Sequence, residues 1–407
     1  MERDNQLPLY LTYLPNGIAQ GILGTLIPLY FIQGLGANLM DLGAMAFAAS
    51  ALLIPASIYF GSLPDRNRAS KPYILFSFLA ASIILYAMTQ TANILIFQIL
   101  YIALEFASYL RGPSTSVLIA ETFEKKQRGA VIAKEGFVEG IGVVTGLALC
   151  TIFVNTIGYT TLLLIACPLT FASFLIALLT LRDSPLYIER NLDRFEGMVD
   201  RMEDFSVHLA GDGSIKPDLG GDWRFSRVAN MKLFAIGRAV FAFAASNAFT
   251  TLSIFLLSRV NFTSSTIFLI FLIRSIFGSV SYLFIDRIFG SKGGLSIKLG
   301  TGMRVILVLI FPVILILPSP FSLILAAILL SLIAISWSIY SVGFGLVTML
   351  YAQPGSLGVY DALASVGGAL GNYSGGLIPT LFGFEALFIV SGVLFLISLI
   401  LFYLSRI

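Results

Sequence analysis

The chain has 407 residues, of which 57% are hydrophobic and 12% are charged, with a formal net charge of +3 and a mean hydropathy of +0.91. A soluble globular protein carries about 25% charged residues, so this composition excludes a large water-soluble fold, which would expose apolar patches to solvent. No basic face with interleaved aromatic residues is present, and nucleic acid is therefore disfavoured as a partner. The sequence predicts an all-α membrane protein.

Apolar runs of about 20 residues, the length that crosses a bilayer as a helix, recur from one end of the chain to the other. Spans 1 to 6 are predicted at about 8–33, 39–62, 72–90, 93–121, 130–154 and 160–181, and spans 7 to 12 at about 229–257, 264–285, 294–317, 320–350, 356–382 and 384–405. One polar segment divides them six and six. We therefore predict two six-helix halves, 1–181 and 229–407, joined by a linker over 182–228.

The linker itself carries a helical pattern. Ser184 and Pro185 are suited to begin a helix, because serine caps the helix N-terminus and proline fits the first turn. Apolar residues then recur at three- and four-residue steps from Ile188 to Phe205, and Gly211 follows. This pattern predicts an amphipathic helix at the cytoplasmic membrane interface. A helix that binds a partner protein is the alternative.

The distribution of positive charge predicts the orientation, because lysine and arginine in short loops resist translocation. Most of the 25 lysine and arginine residues fall in segments that lie on one side of the membrane. These segments are the stretch before span 1, the loops 2–3, 4–5, 6–7 and 8–9, and the stretch after span 12. The loops on the other side carry only Arg259. We therefore expect a multi-pass protein of the cell membrane with both termini in the cytoplasm.

Residues that could perform catalysis or bind a metal are few. Cys150 and Cys167 lie in apolar segments and are expected to be small buried residues rather than a disulfide. The single histidine, His208, lies in the polar linker, so no histidine-based metal site and no cofactor are expected. Glu135 and Glu139 form the one acid pair with metal-ligand spacing. An enzyme that modifies lipid is therefore disfavoured, whereas a receptor built on a transporter fold remains open.

The two halves share a short motif, which indicates an internal repeat. Between spans 2 and 3 the chain reads Gly-Ser-Leu-Pro-Asp-Arg-Asn-Arg from Gly61 to Arg68, and Asp286-Arg287 stands at the equivalent place between spans 8 and 9. Both copies place an acid and an arginine at the cytoplasmic end of a span, with further basic residues after them. Parallel repeats of this kind imply a substrate site between the halves near the middle of the membrane.

The first copy resembles motif A of the major facilitator superfamily, and Ile119-Ala-Glu121 with Arg128-Gly129 resembles the junction of spans 4 and 5 in that family. The layout of six spans, loop and six spans covers the whole chain. The resemblance implies two pseudo-symmetric six-helix bundles and a secondary transporter that moves a small organic solute by alternating access. The chain departs from the family's arginine-and-glutamine motif in span 4 and from the span 5 proline of drug antiporters.

The motif also predicts a cytoplasmic gate. Asp65 can face the N-terminus of span 11, where unpaired backbone N–H groups favour an anion. Arg66 or Arg68 could pair with Glu121 at the end of span 4. The predicted gating residues are Gly61, Asp65, Arg66, Arg68, Glu121, Asp286 and Arg287. Such contacts would break when the cytoplasmic side opens; the alternative is that the basic residues only anchor the topology.

Charged side chains inside the spans are the strongest candidates for a binding site, because each costs about 2.5–3.5 kcal/mol on insertion scales. The resemblance implies that spans 1, 4, 7 and 10 line the cavity. The predicted cavity residues are Asn16, Gln20, Glu105, Tyr109, Arg111, Arg238, Asn247, Arg274, Trp337 and Tyr340. Core packing is the alternative for the aromatic residues, and a structural ion pair for Glu105 and Arg238. Arg304, in span 9, suits packing or a lipid-facing position as well as a function.

Proton coupling is predicted at Glu105, with Glu139 and Asp361 as the next candidates. A carboxyl near the membrane centre loses hydration, which favours its neutral form, and Arg111 or Arg238 could displace the proton. The arginines could instead bind an anion, so a passive uniporter and an organic-anion carrier remain alternatives. The expected partners are a small-molecule substrate, protons and membrane lipid, and the protein is expected to be a monomer.

Glycines recur along spans 1, 5 and 11, as at Gly17, Gly142 and Gly375. Small residues let helix backbones approach each other closely. The pattern fits either sliding between two rocking halves or static tight packing.

Overall fold

The computed structural model describes residues 7–60, 70–123, 125–181, 230–289, 292–351 and 357–406. Within these ranges the chain folds into helices only. The α-helices are Leu7–Leu29, Leu39–Phe60, Ser70–Thr89, Ile94–Tyr109, Arg111–Thr122, Lys125–Thr180, Met231–Phe249, Leu252–Ser258, Ser264–Phe289, Gly293–Ile310, Phe321–Tyr351 and Leu357–Leu404. A π-helical turn over Tyr30–Gly34 extends span 1, and a 3-10 turn over Phe311–Leu315 extends span 9.

The helices account for all twelve predicted spans. In the described residues, 10 helical stretches are long and apolar enough to cross a membrane. An uninterrupted helix as long as Lys125–Thr180 would measure about 84 Å, far more than a bilayer, but it is interrupted at Gly158, where φ is 76°. Leu357–Leu404 is interrupted in the same way at Gly383, where φ is 86°. The first of these stretches therefore supplies spans 5 and 6, and the second supplies spans 11 and 12.

Two spans contain breaks that shape the interior. Span 4 is interrupted at Leu110 because Pro113 lacks a backbone N–H and its ring would clash with the carbonyl of Tyr109. Span 7 is interrupted at Thr250 and Thr251.

Close packing of glycines joins spans within each half. A Cβ atom on Gly17 of span 1 would lie 2.5 Å from the carbonyl oxygen of Glu139 in span 5. A Cβ atom on Gly375 of span 11 would lie 2.9 Å from the carbonyl oxygen of Asn247 in span 7. The same kind of close glycine contact therefore occurs at equivalent places in the two halves. Because both contacts lie inside one half, they favour static packing over sliding between halves.

Spans 2 and 11 form one contact between the halves. We call the end of the bundle where span 1 begins and span 12 ends the inner end, and the opposite end the outer end. Near the outer end, Gly43 packs directly on Gly376. One turn deeper, the Asn372 side chain donates to the carbonyl of Ala46 at 3.2 Å and to the hydroxyl of Ser50 at 2.8 Å.

Spans 5 and 8 form the second contact between the halves. The hydroxyl of Ser265 donates to the carbonyl of Thr151 at 2.5 Å. Tyr159, at the start of span 6, shares a 2.5 Å hydrogen bond with Ser264. These four residues all lie at the outer end of their spans. Hydrogen bonds therefore tie the two halves together at the outer end on both sides of the bundle.

Several predictions fall on segments outside the described residues. These segments include the linker, for which an amphipathic helix is predicted, and the loop from Gly61 to Arg68. The side chains of Glu121, Asp286, Arg287 and Asp361 also lie outside the description, although their backbones belong to helices. The gate and the domain boundaries thus stay predictions. Cys150 and Cys167 are both free and buried, as expected.

Candidate functional site

Three neighbouring cavities occupy the interior of the bundle. The first, of about 530 Å³, is lined chiefly by spans 1, 2 and 4 and includes Gln20, Glu105 and Arg111. The second, of about 500 Å³, is lined chiefly by spans 7, 10 and 11, with Ser57 and Tyr109 from the first half. The third, of about 430 Å³, lies between spans 1, 4 and 5. Tyr109 borders all three. Each cavity is of the size that holds a small organic molecule, about 300–1,000 Å³.

A polar network connects spans 1, 4 and 5 beside the third cavity. Arg111 donates to the side-chain oxygen of Asn16 at 2.7 Å, and Asn16 donates to Glu139 at 3.2 Å. The Arg111 guanidinium also lies 3.9 Å from the Glu139 carboxylate. Asn16 therefore bridges the two charged side chains. The pairing lowers the free-energy cost of placing Arg111 and Glu139 inside a membrane.

The break in span 4 positions Arg111. Arg111 is the first residue of the second helix of span 4, and its carbonyl accepts a 2.9 Å hydrogen bond from Thr115. Thr115 in turn shares a hydrogen bond with the buried Tyr13 hydroxyl. The guanidinium lies 5.9 Å from the ring centre of Tyr13 and 5.4 Å from that of Phe78. Such aromatic faces attract a cation, so they help to fix its position.

Glu105 borders the first cavity and is not the partner of Arg111. It is partly buried, lies one helical turn from Tyr101, and makes no ion pair with a described side chain. The alternative interpretation of Glu105, a structural ion pair with an arginine, therefore finds no such pair among the described side chains. Glu139, which is one of the predicted alternatives to Glu105, takes that role.

Arginine and aromatic side chains of spans 7 and 10 form one wall of the second cavity. The guanidinium of Arg238 lies 3.5 Å from the ring centre of Phe344. Tyr340 stacks on Phe241 with ring centres 3.8 Å apart. Trp337 also borders the cavity and is 45% exposed. We call these five residues the aromatic–arginine wall.

Two further arginines have positions that the sequence did not determine. Arg304 is only 4% exposed, which excludes a lipid-facing position. Its guanidinium lies 5.1 Å from the ring centres of both Phe241 and Trp337, and it donates to Ser336 at 3.2 Å. No described carboxylate pairs with it. Arg274, a predicted cavity residue, lies 5.4 Å from the ring centre of Phe271 and borders none of the three cavities, because no residue of span 8 lines them.

The structure moves one predicted cavity residue into the packing between spans. Asn247 is buried, donates to the Ser391 hydroxyl at 2.7 Å and accepts from Ser374 at 2.6 Å. It therefore joins spans 7, 11 and 12 instead of facing a cavity. The prediction that Asn247 binds substrate placed it on the wrong side of its helix, because an apolar span does not reveal which side faces the interior.

Other cavity residues were missed by sequence reasoning. Thr250 and Asn372 border the first cavity, and Phe241 and Phe344 border the second. Phe241 follows Arg238 by three residues, and this helical spacing could have indicated a shared face. Asn372, a polar side chain deep in an apolar span, was the clearest signal available for span 11.

Comparison with known proteins places this geometry in context. A family model described as Major Facilitator Superfamily matches residues 9–358. No curated protein matches the chain. Three similar solved structures are a nucleoside transporter, NupG, a bacterial homologue of the human lysosomal transporter Spinster in an inward-facing, unoccupied conformation, and the human organic anion transporter MFSD10 (TETRAN).

The likeness to these structures is one of fold. NupG is 13% identical with a TM-score of 0.67, and 99% of each chain is covered. The Spinster homologue is 14% identical with a TM-score of 0.70, covering 98% of this chain and 96% of its own. MFSD10 is 17% identical with a TM-score of 0.62, covering 98% of this chain and 99% of its own. Such low identities carry no information about the substrate.

Proposed function

The chain belongs to the major facilitator superfamily, and we propose that it moves a small organic solute across the cell membrane by proton-coupled alternating access. Its family and structural neighbours indicate an integral membrane transporter rather than an enzyme. One observation carries the proposal. The first and second cavities lie where the two halves meet, and their polar groups come from both halves. A solute bound there would be released when the halves rock.

The contacts between the halves support an inward-facing arrangement. Hydrogen bonds from Asn372 to span 2 and from Ser265 to span 5 close the outer end. In alternating access, these bonds would break as the inner end closes. Span 1 begins and span 12 ends at the inner end, and the distribution of positive charge favours a cytoplasmic position for this end.

Glu105 is the proposed proton carrier. A carboxyl that binds and releases protons must reach water in some conformation and must lack a permanent cationic partner. Glu105 borders a cavity and makes no ion pair with a described side chain, whereas Glu139 is held by Arg111. One proton moving through 100 mV supplies about 2.3 kcal/mol, which can drive accumulation of a solute.

The test uses the full chain in proteoliposomes with a panel of radiolabelled nucleosides, aromatic carboxylates and amines. Wild-type protein should exchange at least one solute in counterflow and accumulate it when a pH gradient is imposed. Glu105→Gln mimics the protonated carboxyl, so it should retain counterflow and lose accumulation. Glu385→Gln is the matched control, because Glu385 is exposed at the outer start of span 12.

Three results would contradict the proposal in different ways. If no solute in the panel shows counterflow, the transport proposal itself fails. If Glu105→Gln still accumulates solute along a pH gradient, Glu105 is not the proton carrier, and Glu139 and Asp361 become the candidates. Counterflow without any accumulation in wild type would indicate a passive uniporter.

A further inference from the structure

The second cavity contains a polar group that lacks a partner. Tyr340 is 4% exposed, and its hydroxyl makes no hydrogen bond with any described group. Most buried polar groups in proteins are hydrogen-bonded, so an orphaned hydroxyl calls for an explanation. Tyr340 borders the second cavity, where a bound molecule could accept its hydrogen bond.

Positive charge surrounds this hydroxyl. Both Arg238 and Arg304 lie close enough to Tyr340 to interact electrostatically with it. Arg238 borders the cavity itself, whereas Arg304 lies behind the rings of Phe241 and Trp337. Since Arg304 has no described carboxylate partner, its charge contributes a positive potential that a low-dielectric interior screens weakly.

The sequence of the second half also indicates an excess of positive charge in the interior. Deep inside spans 7 to 12 the chain carries three arginines, Arg238, Arg274 and Arg304, and one acid, Asp361. Even if Asp361 neutralises one arginine, positive charge remains in excess. An excess of buried positive charge is costly unless something compensates it. An anionic solute would supply that compensation.

We propose that the second cavity binds an organic anion that carries a flat aromatic group. Arg238 binds the anionic group, the Tyr340 hydroxyl donates a hydrogen bond to it, and the exposed ring of Trp337 stacks on the aromatic part. This proposal rests on the proposed transport function and names the class of its solute. A cavity of about 500 Å³ accommodates a single-ring or two-ring molecule.

Trp337 offers a direct measurement of binding at this place. The chain contains two tryptophans, and the other is Trp223 in the linker. In a Trp223→Phe background, fluorescence therefore reports on Trp337 alone. The probes are benzoate, benzenesulfonate and phenylphosphonate, and their matched neutral probes are benzamide, benzenesulfonamide and dimethyl phenylphosphonate. Acetate tests the need for a ring, and benzylamine tests the sign of the charge.

At least one aromatic anion should change the fluorescence and bind at least about tenfold more tightly than its neutral partner. It should exceed benzylamine and acetate in affinity by the same factor. Arg238→Gln should weaken that binding by about tenfold or more, and Tyr340→Phe by about threefold to tenfold. The matched controls are Arg259→Gln, an exposed arginine at the far end of span 7, and Tyr403→Phe, which is 61% exposed. Both should bind the anion as tightly as the background protein.

Two results would overturn the proposed site. One is that the anions and their neutral partners bind equally tightly, or that no probe binds at all. The other is anion binding that Arg238→Gln and Tyr340→Phe leave unchanged. If Arg238→Gln does not fold, as judged by gel filtration, Tyr340→Phe and Arg238→Lys decide the question. Anion binding that depends on Arg238 without counterflow would instead contradict the transport function and leave the anion site standing.

Discussion

The two halves of this protein share a scaffold and differ in charge. The charged groups inside the spans of the first half include Glu105, Glu135 and Glu139, with Arg111 bound to Glu139 through Asn16. The second half has an excess of arginine and packs it against aromatic rings. Glycine contacts between equivalent spans hold both halves in the same way. A duplicated framework can therefore carry two chemistries, one suited to protons and one suited to an anion.

The largest expected effect is on the network that distinguishes the first half. Removing one partner of a buried ion pair costs about 3–5 kcal/mol. The side chains of Arg111 and Glu139 are 16% and 31% exposed, so we expect a smaller loss of about 2–3 kcal/mol for Arg111→Gln. Thermal unfolding in detergent measures this loss, with exposed Arg259→Gln as the control.

A double-mutant cycle then sharpens the result. Arg111→Gln combined with Glu139→Gln should lose less stability than the sum of the single changes, because the second change removes a charge already left unpaired. Strict additivity would show that the two charges do not stabilise each other, and the contrast between the halves would lose its clearest element.

The glycine contacts test what the halves have in common. Gly17→Val and Gly375→Val each force a side chain into a neighbouring backbone and should destabilise the protein by about 1–3 kcal/mol. The control is Gly24→Ala, because a Cβ atom at Gly24 would have no atom within 4 Å. Gly24→Ala should leave the unfolding temperature unchanged or raise it. A loss in only one half would contradict the shared packing.

The contact between the halves is the third place to test. Asn372 donates two hydrogen bonds across the outer end, and Asn372→Leu should weaken closure by about 1 kcal/mol, roughly a fivefold shift in the closed-to-open ratio. Spin labels on Ala92→Cys and Leu317→Cys, both exposed in outer loops, measure the distance between halves. The buried native cysteines, Cys150 and Cys167, are first replaced by alanine.

The control for this shift is Asn93→Leu, which removes an amide that caps span 4 within one half. It should leave the distance distribution unchanged. An unchanged distribution in Asn372→Leu as well would mean that the hydrogen bonds to span 2 do not hold the outer end closed.

The smallest effect is expected at Arg304, where charge and packing oppose each other. Arg304→Leu loses contacts with several rings but also removes a buried charge that no described carboxylate balances, so unfolding should change by less than about 1 kcal/mol. Affinity for an aromatic anion should fall by about threefold, as measured by Trp337 fluorescence. Leu307→Ala, one turn away, controls for packing. A large loss of stability with unchanged affinity would assign Arg304 to structure alone.

Hydropathy by itself determined the twelve spans and their division into six and six. In lipid every backbone polar group must be satisfied within the segment, so an apolar run of sufficient length must form a helix. The gaps between spans 5 and 6 and between spans 11 and 12 were also predicted, and the structure locates the interruptions at Gly158 and Gly383. The gating motif around Asp65 was equally evident, and it remains a prediction from sequence.

Only the tertiary structure decided which side of each helix faces the interior. A span that is apolar all round has no polar face to set its rotation, so packing against neighbouring helices sets it instead. That rotation turned Asn247 into the packing between spans and Arg304 toward the rings of spans 7 and 10. It also joined Arg111 to Glu139, two residues on different spans whose separation in sequence gives no hint that they meet.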